Sequence, residues 1–167
     1  GCENGATDFA GAGSGSATIG SLSDNQKITA TMVISTNYLL VFKENSTYQM
    51  VISSSPFPSY TLFDNIGCVG KRAVVNVDGT VYFITADKRM QSTTGEALQE
   101  YPNQADDLWN AVDGSTLEYT EGFRQKGSDY DWLVWIVTIS SVKRAIIWDL
   151  RNKCWLRATT GFCPTRR

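Results

Sequence analysis

The sequence predicts an all-β chain: a β-propeller or partial propeller of about three four-stranded antiparallel blades, with one short helical insertion. Three observations predict it. A pattern recurs at Tyr38–Met50, Gly79–Met90 and Ala145–Arg157: an apolar strand ending in an aromatic, a short polar turn, then a second strand. Phe42 and Phe83 stand 41 residues apart, and Phe83 and Trp148 stand 65 apart, one more period plus an insertion. Hairpins repeating at roughly 40 residues are the signature of propeller blades. Propeller blades usually serve as platforms for contacts rather than as reaction centres.

The elements follow in order. Residues 1–27 form a Gly/Ser-rich lead-in arm, in which the stretch Gly11–Ala17 has little surface to bury. Thr18–Leu22 suggests a short edge strand. Ile28–Ile34 alternates β-branched residues and reads as a half-buried strand. Tyr38–Phe42 is nearly continuous in apolar residues and suits an inner strand. Lys43–Ser46 turns the chain, Thr47–Ser53 returns, and the prolines Pro56 and Pro58 make Ser54–Ser59 a loop. Tyr60–Ile66 completes the first unit.

The second unit follows Gly67-Cys68-Val69-Gly70. Arg72–Val77 and Thr80–Thr85 flank Asp78-Gly79, a hairpin signal. Asp87 and Lys88 turn the chain toward Met90, Thr93-Thr94-Gly95 is another turn, and Glu96–Gln99 suggests a short outer strand. Gln104–Val112 then reads as a helix, centred on Ala105–Val112. Asp106 and Asp107 stand in its first turn, where the helix dipole favours acids, and Leu108, Trp109 and Val112 form its buried face. The third unit has strands at Thr116–Phe123, Trp132–Ile139, Arg144–Asp149 and Cys154–Thr159. Its turns lie at Gly127-Ser128-Asp129 and Arg151-Asn152-Lys153. Trp132 and Trp135 are expected to be buried in an inner strand. The propeller-like domain thus covers 28–163, and 164–167 form a tail.

Propellers close with about 4 to 8 blades, and about three are visible here. The chain is therefore expected to be part of a larger propeller, or to be completed by other copies. Its end blades are expected to show exposed edges and apolar faces.

Composition narrows the function. The chain has 167 residues, 42% of them apolar and 19% charged, with a net charge of −2. Such a balance argues against general nucleic-acid affinity, which favours a basic stripe. No apolar run reaches the roughly 18 residues a membrane span needs, and the N-terminal residues do not read as a signal peptide. The four cysteines, Cys2, Cys68, Cys154 and Cys163, form no CxxC pair, and there is no histidine. No metal site and no cofactor are expected from such a set. Free thiols are the simplest reading, with a Cys154–Cys163 bridge as an alternative.

The run Leu40–Tyr48, then Ile66–Val75, then Val77–Phe83, resembles the β-propeller proteins of tailed-bacteriophage necks and tails. These include the packaged-DNA stabilisation proteins and the tail tubular B or nozzle proteins of short-tailed phages. Ile146-Ile147-Trp148-Asp149-Leu150 and Trp155-Leu156-Arg157 fit their last-blade style. The similarity covers roughly residues 28–160 and rests on patterned strands. One departure is that Ala86-Asp87-Lys88-Arg89 replaces an Asp-Gly turn, which leaves the hairpin type open.

The resemblance implies a structural virion protein, a head–tail connector component assembled in the host cytoplasm. It would sit in a ring with other copies of itself, between the portal or adaptor and the distal tail. Genomic DNA would pass through the lumen without sequence-specific binding. A slightly acidic chain suits a conduit, because a basic lumen would hold DNA by counterion release. The alternatives are a glycan-binding or glycan-cleaving propeller of a phage receptor-binding protein, and a cellular scaffold propeller.

Each candidate site in the sequence also has a structural explanation. Cys68 has Lys71 and Arg72 nearby, which would favour a reactive thiolate; the two glycines beside it favour a tight crossing instead. Trp148-Asp149 matches the WD dipeptide but lacks its Gly-His partner. Asp106 with Asp107, and Glu118 with Glu121, are possible paired carboxylates for glycoside hydrolysis, but acids at a helix start more often cap or face water. Tyr48, Tyr60, Trp109, Trp132 and Trp135 are possible sugar platforms, though strand aromatics more often fill the core. Arg166-Arg167 is too small a cluster to indicate nucleic acid. No catalytic residue is therefore expected, and the chain reads as a non-enzyme.

Overall fold

The computed structural model describes residues 19–20, 25–54, 56–101 and 105–157. It contains three four-stranded antiparallel sheets, each a meander in chain order. The first sheet holds β1 (Ile28–Val33), β2 (Tyr38–Lys43), β3 (Ser46–Val51) and β4 (Ser59–Asp64). The second holds β5 (Val74–Val77), β6 (Thr80–Ile84), β7 (Met90–Thr93) and β8 (Leu98–Glu100). The third holds β9 (Glu121–Lys126), β10 (Asp131–Ile139), β11 (Val142–Asp149) and β12 (Cys154–Arg157). A helix, α1 (Asp106–Asn110), and a 3-10 turn at Gly114–Tyr119 lie between the second and third sheets.

Local chemistry sets the hairpins. Asp78 and Gly79 both take positive φ, 52° and 90°, as a two-residue turn matching the strand twist requires. Ser140 and Ser141 do the same at 51° and 63° between β10 and β11. The β6–β7 turn, which lacks an Asp-Gly pair, is held by side chains. Thr85 Oγ1 donates to Asp87 and to the Arg89 carbonyl, and Lys88 adopts φ 62°.

The sheets stack face to face with the second in the middle. Phe42 meets Phe83 at 4.9 Å between ring centroids, joining the first sheet to the second. Tyr101 sits 5.9 Å from Tyr82 and 5.1 Å from Trp148, joining the second to the third. Strand β5 lies against both β1 and β9, so the first strands of the three sheets are neighbours. Gly122 on β9 enables this approach: a Cβ there would stand 2.1 Å from the Trp135 ring and 2.8 Å from Val75. One core runs through all three sheets, including Leu40, Phe42, Val81, Phe83, Leu133, Trp135 and Ile146.

The outward faces of the end sheets are not bare at their centres. Strand alternation places Val41 and Tyr48 on the outward face of the first sheet, and Val134 and Ile147 on that of the third; all four are buried. Gly20 lies against the Tyr48 hydroxyl. Among the described residues, exposed large apolar groups on the sheets lie at strand ends and edges, such as Val33, Tyr60 and Val142, and Tyr119 is exposed at the end of the 3-10 turn.

Several expectations need correction. The strand expected at Thr116–Phe123 is a 3-10 turn at Gly114–Tyr119 followed by β9 at Glu121–Lys126. The Asp113 carbonyl accepts from both the amide and the hydroxyl of Thr116, which starts the turn, and buried Leu117 anchors it. The helix is shorter than Ala105–Val112, although Trp109 and Val112 are buried as expected. Lys88 Nζ donates to the Asn110 and Val112 carbonyls and so ends it. Trp132 is half-buried, because it points to the outward face while Trp135 points to the core. Of the edge strand expected at Thr18–Leu22, Ile19 and Gly20 are described and are not in a strand. Gln104, Cys2, Cys163, Arg166, Arg167 and the tail lie outside the described residues.

Candidate functional site

The crossing Gly67-Cys68-Val69-Gly70 joins the first sheet to the second. Cys68 is fully buried, its amide donating to the Lys43 carbonyl at 3.2 Å. Val69 N–H reaches the Ile84 carbonyl at 3.0 Å. The thiol faces the carbonyls of Gly70 and Ala73, each at 3.4 Å. Burial pushes the Cys68 thiol up to about 11, against the lowering expected from Lys71 and Arg72. A Cβ on Gly70 would sit 2.0 Å from the Glu118 carbonyl oxygen, so the crossing needs glycine there. This loop is a structural joint, not a reactive-thiol site.

Asp149 is likewise structural. Its carboxylate accepts the amides of Arg151 and Asn152 at 2.8 and 3.0 Å, and the Asn152 side chain at 2.9 Å. Burial would raise its pKa, but the Asn152 and Arg151 donors and the Trp132 indole outweigh it and hold the carboxyl below its usual range. The Trp-Asp dipeptide therefore builds the β11–β12 turn. Cys154, across the strand pair from Asp149, is a free, half-buried thiol.

The paired carboxylates do not form a pair. Asp106 and Asp107 are exposed on α1. Glu121 is bound to Arg72 at 2.5 Å, whereas Glu118 sits exposed beside Tyr119. Of the aromatics, Trp109 and Trp135 are core, and Tyr48 carries Lys43 Nζ 5.4 Å above its ring centre. Trp132 stacks on Tyr130 at 4.5 Å. Tyr60 is exposed on the β4 edge, away from any cavity described.

Two concave regions among the described residues are large enough to hold a ligand. One, of about 300 Å³, lies where β1, β5 and β9 meet; Thr31, Arg72, Glu121 and Phe123 line it. It is spanned by the Arg72–Glu121 ion pair, the polar end of the contact between the second and third sheets. The other is an open cleft of about 660 Å³ at the ends where β1 begins and the β2–β3 turn, the Cys68 crossing and the 3-10 turn converge. Tyr119, at 71% exposure, stands on it. Sequence reasoning missed Tyr119 because the residues around it read as a strand.

The other charged cluster spans two sheets. Arg124 on β9 donates two bonds to Asp131, at 2.8 and 2.7 Å, and one to Asp78 in the β5–β6 turn at 3.0 Å. The Arg124 hydrogen bonds hold the Asp131 carboxyl below its usual range. Nearby, burial and the Tyr101 hydroxyl push the Tyr82 phenol up. This set clamps the second sheet to the third.

Among the described residues, no three His, Cys, Asp or Glu side chains come together as a metal site. Among the same residues no helix is long and apolar enough to cross a membrane. No family model matches the chain, and no curated protein matches it. Fold and side-chain arrangement thus define its class: a mostly-β protein of three stacked four-stranded sheets, clamped through aromatic and ionic contacts.

Proposed function

We propose that the three sheets are consecutive blades of a β-propeller and that the protein is a structural component of a bacteriophage neck or tail. It acts through protein–protein contacts and carries out no catalysis. In this reading copies form a ring in the conduit between portal or adaptor and distal tail, and the genome passes through without sequence-specific contact.

The observation that carries the reading is the placement of β5 against both β1 and β9, with each sheet a meander. First strands side by side and sheets face to face are how blades surround an axis. The blade pattern and the Leu40–Tyr48, Ile66–Val75 and Val77–Phe83 segments carry the resemblance to phage neck and tail propellers. The side chains of Arg124 and Asp149 and the buried Cys68 are each committed to holding the fold, which favours a scaffold.

The test is made on purified native particles. Mass spectrometry should find the chain in them, and cryo-electron microscopy should place a ring of its copies between portal and distal tail. Absence of the chain from particles, or its presence as an isolated fibre tip, overturns the proposal.

A further inference from the structure

We propose that the 660 Å³ cleft binds a neutral oligosaccharide, with Tyr119 as the stacking platform. The inference goes beyond the scaffold role and stands apart from it. Cavities of about 300–1,000 Å³ are the usual size of small-molecule sites. Tyr119 is the most exposed of the large hydrophobic side chains among the described residues. Leaving such a ring in water forgoes the free energy its burial would bring. With 71% of the residue exposed, the ring is open to a ligand, and the Glu118 carboxylate is its neighbour in the chain. An electron-rich ring face suits the C–H face of a pyranose.

The surrounding groups specify the class further. Lys27, Glu44, Lys71 and Glu118 line the cleft. None of the four is in an ion pair among the described residues. Two cations and two carboxylates balance each other. A phosphate or uronate would meet the carboxylates, and a polyamine would meet the lysines. Sugar hydroxyls both donate and accept, so they can satisfy ammonium donors and carboxylate acceptors at one mouth. Val69, Ala86 and Leu117 supply apolar lining beneath them.

The test uses saturation-transfer NMR on the full chain with maltotriose, cellotriose and chitotriose at millimolar concentration. At least one should receive saturation, and titration should give a dissociation constant. Tyr119→Ala should weaken that binding at least tenfold. Tyr60→Ala, which removes an exposed tyrosine on β4, should leave it unchanged. Amide spectra of both variants should match the wild type, since both rings stand in solvent. No saturation of any of the three sugars overturns the proposal, as does full binding by Tyr119→Ala. Neither result bears on whether the chain is found in virions.

Discussion

Strands β4 and β7 reverse the usual link between composition and burial. β4 carries Tyr60, Leu62 and Phe63, yet none of its residues is buried. β7 carries Gln91, Ser92 and Thr93 and is buried throughout. The difference is position. β4 is the outer edge of an end sheet, whereas β7 is an interior strand of the sheet that has neighbours on both faces. Burial favours pairing of its polar groups inside the protein, and all but Gln91 Oε1 among its side-chain polar atoms find a partner. Ser92 is bonded to the Tyr101 hydroxyl at 2.9 Å, Thr93 Oγ1 accepts the Gly95 amide at 2.9 Å, and Gln91 Nε2 reaches Glu100 at 3.3 Å. Place in the stack, more than strand chemistry, decides what is core.

The sharpest way to break that comparison is to truncate the same residue type in both settings. Phe83→Ala, in the middle sheet and fully buried, should cost about 3–5 kcal/mol in urea unfolding. Phe63→Ala, half-buried on β4, should cost about 1 kcal/mol. Equal costs would mean that stacking is not what sets the core. Next in size is the polar pairing of β7. Ser92→Ala removes the partner of Tyr101 and should cost about 1–2 kcal/mol, while Thr61→Ala on exposed β4 should stay within about 0.5 kcal/mol.

Acid titration tests the clamp between the second and third sheets. Asp131 is held below its usual range when folded, against about 3.9 in the unfolded chain. Its contribution is therefore complete above about pH 4 and is lost as pH falls through the folded value. Asp131→Asn should lower the urea midpoint at neutral pH and flatten its fall in acid. A variant with the wild-type acid profile would remove Asp131 from the clamp. The smallest effect is chemical. At pH 8 iodoacetamide should modify half-buried Cys154 before Cys68, whose thiol burial has pushed up to about 11. Peptide mapping reads the order, and Cys68 labelled first would contradict a sealed crossing.

Much of the sheet framework was legible in the sequence. Alternation located β1, a nearly continuous apolar run β2, the turn at Lys43–Ser46 and the prolines Pro56 and Pro58 bounded β3 and β4, and Asp78-Gly79 marked the β5–β6 hairpin, because side-chain pattern and turn chemistry are local properties. What failed depends on tertiary position. Thr116–Phe123 alternates like a strand, but its first turn is bent by bonds to Asp113 and by Leu117 reaching the core. Ser140-Ser141 makes a tight turn without glycine or asparagine to announce it. The site was less legible than the fold. Tyr119 was concealed by the strand reading, and its neighbours Lys27, Glu44 and Lys71 come from three separate segments that meet only in space.

Each sheet is drawn from one uninterrupted stretch of chain and joins the next through a single connection. Vectorial synthesis therefore imposes no waiting step: β1 to β4 can pair before β5 has left the ribosome. The arrangement also confines changes in chain length to the joints. The segment holding α1 and the 3-10 turn occupies such a joint, between β8 and β9, and no hairpin is interrupted by it. A loop grafted there should leave all three sheets in register. The same insertion between β6 and β7 would split a pair of buried strands.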